Sequence, residues 1–126
     1  MSKSIFISHV HEDNEKITLL EKWAQEKRLG DIVITKETED KRHEGKEAIK
    51  QYISDKIRGA MAVLVLIGQD THNHGWIEAE VELAHSFHKK VICIRLHQTT
   101  GGIPPILANK PIVPFEPNAI KQAIFN

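Results

Sequence analysis

Cysteine is nearly missing from this 126-residue chain: Cys93 stands alone, so no intrachain disulfide can form. It lies mid-strand in Val91-Ile92-Cys93-Ile94 with no activating neighbour in sequence, and reads as buried filler rather than as a nucleophile. An excess of one charge is missing too. Lys and Arg number 17 and Asp and Glu number 17, which removes the electrostatic footprint of a nucleic-acid binder. The one continuous apolar run, Met61 to Ile67, is far shorter than the roughly 20 residues that span a bilayer, so no membrane anchor is expected. Met1-Ser2-Lys3-Ser4 leads straight into a strand and a charged helix instead of a secretory leader, and the expected compartment is the cytoplasm. Neither G-x-G-x-x-G nor a Walker sequence occurs, which disfavours dinucleotide binding by a Rossmann mechanism.

Histidine is plentiful, at 8 residues. The pairs His9/His11, His72/His74 and His85/His88 are close in sequence, yet no acid or cysteine completes a set with the usual ligand spacing. No metal and no bound cofactor are expected. His72 and His74 sit in the loop before Trp76, and His85 and His88 at the back and edge of the helix that follows.

Hydrophobic residues at 40% and charged residues at 27% are ordinary for a soluble globular protein. The length fits one domain, residues 1–126, large enough to bury a core. Strand and helix patterns alternate along it. Ile5-Phe6-Ile7 reads as a first strand. Glu12 to Leu29 reads as a helix with Ile17, Leu20, Trp23, Ala24 and Lys27 on one face and Gly30 as its stop. Asp31 to Thr35 is a second strand, Lys36 to Gly45 a highly charged loop, and Ile49, Tyr52, Ile53 and Ile57 the inward stripe of a second helix. Met61 to Ile67 is the strongest strand, apolar throughout as for a central parallel strand. Val91 to Leu96 is a fourth. Past Leu96 the pattern weakens to a short strand at Ile112 to Phe115, where Pro114 demands an edge or an end, and a helix from Asn118 to Phe125. Such alternation predicts an α/β fold: a flavodoxin-like doubly wound parallel sheet of about five strands with helices on both faces. Ligands of such sheets bind beyond the carboxyl ends of the strands, which nominates the loops after Ile7, Thr35 and Ile67.

One residue breaks the pattern. Projected at about 100° per residue, Glu80 falls at the centre of the apolar face of the helix from Trp76 to Lys89, within about 60° of Trp76, Leu83, Ala84 and Phe87. Glu78 and Glu82 project to the opposite face with His85 and Lys89. A carboxylate turned toward apolar surface needs partners or a shifted pKa, and either use or a structural ion pair accounts for it.

The segment Phe6-Ile7-Ser8-His9-Val10-His11-Glu12-Asp13 resembles the opening box of TIR domains, where a short strand ends in a serine and an aspartate follows five residues later. Gly68, then Thr71 and Asn73, then Trp76-Ile77-Glu78-Ala79-Glu80-Val81 resembles the family's second signature, a W-x-x-x-E helix after the central strand. Lys36 to Gly45 occupies the position of the BB loop. The resemblance runs from Ile5 to about Leu96. Its small size and the Leu66-Ile67-Gly68 to Trp76 stretch are most similar to bacterial TIR-like proteins that include the Thoeris anti-phage component. The resemblance implies cleavage of the nicotinamide glycosidic bond of NAD, with NAD as substrate and Glu80 as the catalytic residue. In the Thoeris case it also implies a nucleotide-derived signal that activates a separate effector.

The residues suit that chemistry. Nicotinamide leaves as a neutral molecule, so the charge to be stabilised is an oxocarbenium-like cation on the ribose, and one preorganised carboxylate answers it. Trp76 is read as core packing or as a stacking wall beside Glu80. Ser8 and His9 end the first strand and are candidates for hydrogen bonds to ribose or diphosphate, with a helix cap as the other reading of Ser8. Gly68 borders the same crevice. Lys36 and Arg42 are candidates for phosphate contacts, with plain solvation as the alternative. Two other functions stay open: a non-catalytic TIR-like module assembling through loop 36–45, and another enzyme acting at an N-glycosidic bond, similar to a deoxyribosyltransferase.

Overall fold

A computed structural model describes residues 3–9, 14–35, 53–68, 75–96, 102–103, 105–107 and 109–125. In chain order its elements are β1 (Lys3–Ser8), α1 (Asn14–Gln25), β2 (Ile32–Thr35), a helix α2 described over residues 53–58, β3 (Ala62–Ile67), α3 (Gly75–Ser86), β4 (Lys90–Arg95), a 3-10 turn at Pro105–Leu107, β5 (Ile112–Pro114) and α4 (Pro117–Phe125). The five strands form one sheet in the order β2-β1-β3-β4-β5. Every pairing is parallel. This is the doubly wound arrangement predicted from the alternation, and its strand order reverses between β1 and β3.

Period-two alternation divides the interior into two layers. Ile5 and Ile7 of β1, Leu64 and Leu66 of β3, and Ile92 and Ile94 of β4 meet Ile17, Leu20 and Trp23 of α1 and Ile120 and Ile124 of α4. Phe6, Val63, Val65, Ile67 and Cys93 face the other way, against Ile53 and Ile57 of α2 and Ile77, Val81 and Ala84 of α3. Covered on both sides, β3 is buried at all six positions. Pro114 lies in β5, at the sheet edge where its missing N–H costs no ladder bond. Arg58 at the end of α2 lies 4.9 Å over the ring of Phe87, tying α2 to the end of α3. Among the described residues no helix is long and apolar enough to cross a membrane.

The end of α1 departs from the sequence expectation. The helix stops at Gln25, where the Arg28 N–H bonds the Trp23 carbonyl at 2.9 Å and the Lys27 N–H bonds that of Ala24 at 3.1 Å. This is a Schellman closure with Lys27 in the left-handed position at φ 63°. Lys27, expected on the inward face, is therefore exposed. Gly30, expected to stop the helix, instead turns the chain into β2 at φ 90°. The same closure ends α3, with His88 at φ 58° and the Lys89 N–H bonding the Ala84 carbonyl at 2.8 Å. Ile49, Tyr52 and the loop 36–45 lie outside the described residues.

Candidate functional site

Alternation along β1 decides where its last side chain goes. Phe6 packs into the layer beneath α2 and α3, so Ser8, two residues on, projects to that same side. Its Cα is in register with Val65 of β3. Ser8 thus stands at the carboxyl end of β1, on the α3 side, beside the reversal in strand order.

From α3 comes Glu80. Ile77, Ala79, Val81 and Ala84 are all buried, and at 100° per residue they span an arc of roughly 200° with Glu80 near its middle. Leu83 and Phe87 are half-buried and packed on the same layer. Glu78 is exposed, while Glu82, His85 and Lys89 are half-buried rather than fully solvated. Glu80 itself retains 1% of its surface. The Ser8 hydroxyl donates to its Oε1 at 3.2 Å, joining residues 72 apart in sequence. A buried carboxylate requires such donors, because lost hydration must be replaced. What the arrangement offers chemically is a carboxyl group fixed in a water-poor place, able to hydrogen-bond ligand hydroxyls and, when ionised, to stabilise a cation.

Of the other residues singled out in the sequence, His9 is 4% exposed and directly follows Ser8, and Gly68 is buried at the end of β3. Those two belong to the same end of the sheet as Ser8. Trp76 is helical, one turn before Glu80; its side chain lies outside the described residues, as do Lys36, Arg42, His72 and His74. Sequence reading placed Ser8 and Glu80 in one crevice but missed that they bond to each other.

Two further titratable groups, one on α3 and one on β4, have shifted pKa values. Burial lowers the pKa of His85 on α3, with the Lys110 charge adding to the effect. Its Nε2 is a buried atom without a hydrogen-bond partner among the described residues. Burial also pushes the Cys93 thiol up to about 11, against the opposing pull of Lys110, in keeping with its reading as inert filler. No group of three or more His, Cys, Asp or Glu side chains among the described residues is arranged to hold a metal ion.

Sheet order, helix placement and the buried acid on the helix after the central strand together define a flavodoxin-like, TIR-like α/β protein. A prokaryotic SEFIR domain of known crystal structure has the same fold, at TM-score 0.61 and 16% identity, covering 99% of this chain and 94% of that one. A 3-dehydroquinate dehydratase-like protein from Bifidobacterium longum superposes at TM-score 0.49 and 12% identity over 98% of this chain and 93% of that one, too slight a likeness to bear on function. No curated protein matches the chain. The family model "Thoeris protein ThsB, TIR-like domain" matches residues 6–101. The chain belongs to that family, and so to the TIR-like proteins of Thoeris anti-phage defence.

Proposed function

We propose that this protein cleaves the bond between nicotinamide and ribose in NAD, as a TIR-type glycohydrolase or cyclase, and that Glu80 is its catalytic residue. The supporting observation is the buried Glu80 carboxylate, held at the carboxyl end of the sheet beside the β1/β3 reversal, in a chain of this family. In the proposed step the bond from ribose C1′ to the nicotinamide nitrogen breaks. Its electron pair leaves with nicotinamide, which becomes neutral, and the positive charge passes to the ribose. Glu80 stabilises that cation and receives the ribose hydroxyls. The charge is quenched by water, giving ADP-ribose and a proton, or by another atom of the same nucleotide, giving a cyclic product.

Around Glu80 the proposal gives His9 and Gly68 a place against the ribose or diphosphate, Trp76 a wall beside the reacting sugar, and Lys36 and Arg42 the phosphates. The product is a nucleotide-derived signal for a separate effector, made in the cytoplasm, with self-assembly through loop 36–45. Because Glu80 is 1% exposed, the ribose reaches it only when neighbouring side chains part, so turnover includes a conformational step.

A second reading draws on the same burial: a closed Ser8–Glu80 pair is also how a non-catalytic assembly module would satisfy a core acid. Nicotinamide release from NAD separates the two. Concentrated protein, with and without extract of infected cells, is expected to release nicotinamide, and Glu80→Gln is expected to lower the rate by about 100-fold or more. Equal silence of both proteins in every condition removes the enzymatic reading.

A further inference from the structure

Resting on the reading of Glu80 as the catalytic acid, we propose that Ser8 is a positioning residue, which holds the Glu80 carboxylate in place instead of contacting the ligand. The Ser8 side chain is 0% exposed and Glu80 is 1% exposed, and the hydroxyl donates to Oε1 at 3.2 Å. A serine hydroxyl has one proton to donate. With that proton engaged on Glu80, the hydroxyl does not simultaneously donate to a ribose or a phosphate.

The two side chains are fixed by independent parts of the fold. Ser8 is locked by the β1/β3 register opposite Val65 and by Phe6 two residues earlier on the same side. Glu80 is locked by the buried residues on both sides of it in α3. A bond from the rigid sheet to the helix therefore helps to set which rotamer the carboxylate adopts. Removing the hydroxyl leaves the acid in its arc but takes away one of the bonds that orient it, so the loss falls on the chemical step rather than on substrate binding.

Two measurements test this. In nicotinamide-release kinetics, Ser8→Ala is expected to lower kcat about 10-fold or more with KM changed less than about 3-fold, and Ser8→Thr, which keeps a hydroxyl, to recover most of the rate. A rise in KM at unchanged kcat would make Ser8 a ligand contact and overturn the proposal; so would failure of Ser8→Thr to outperform Ser8→Ala. The second needs no activity: a thermal-melting cycle of Ser8→Ala, Glu80→Leu and the double variant. Ser8→Ala is expected to lower Tm by several degrees when Glu80 is present and to leave it unchanged or raise it beside leucine. Equal losses in both backgrounds contradict the proposal. If the wild type releases no nicotinamide, the reading of the reaction fails, and the cycle still decides whether Ser8 holds Glu80.

Discussion

A carboxylate at 1% exposure persists in a protein only where donors replace its water. Glu80 was legible in the sequence because its neighbours Ile77, Val81, Leu83 and Ala84 are apolar at helical spacing, so the acid stands out on a projection. Its bond to Ser8 was not, since nothing local links two residues on different elements; the link appears only when sheet register puts β1 under α3. Two further residues carry predictions at this scale. With its pKa raised to about 11 by burial, Cys93 holds roughly one thiol in a thousand as thiolate at pH 8. Native protein is expected to resist a thiol-specific reagent that labels the unfolded chain stoichiometrically; rapid native labelling would contradict the burial. The lowered pKa of His85 has a definite sign. The unfolded chain binds this proton more readily than the native protein, so His85 contributes stability at neutral pH that is lost as pH falls below the ordinary histidine range. His85→Gln is expected to lose less stability than the wild type between pH 7 and pH 5, measured by urea unfolding, and parallel losses would contradict the assignment.

At the scale of elements, hydrophobic periodicity identified the strands and the cores of the helices, while helix ends escaped it. Lys27 and His88 close α1 and α3 in the left-handed conformation, a place where sequence reasoning looks for glycine. The glycine that was present, Gly30, serves the next element instead. A Cβ there would stand 2.6 Å from Cε2 of Phe125, and its φ of 90° is strained for any other residue. Gly30→Ala is expected to cost about 1–3 kcal/mol in chemical denaturation. The Phe125 ring is 47% exposed and can move, so Phe125→Ala in the same chain is expected to recover only the contact part of that loss. Complete recovery would show that the backbone carries no strain.

For the whole molecule, alternation along the chain foretold a parallel doubly wound sheet, and the order β2-β1-β3-β4-β5 bears that out. Order matters for function because it sets β1 beside β3 and so brings Ser8, Gly68 and Glu80 to one end of the sheet, where a crevice forms in folds of this kind. Family membership comes from the match over residues 6–101; the proposed reaction rests on the acid. The most direct test of that account is nicotinamide released from NAD by the wild type and by Glu80→Gln, at high protein concentration and with infected-cell extract. The account predicts release by the wild type and a drop of about 100-fold or more in the variant, with the variant still folded. Release that is undiminished by Glu80→Gln, or absent from both proteins, would contradict it.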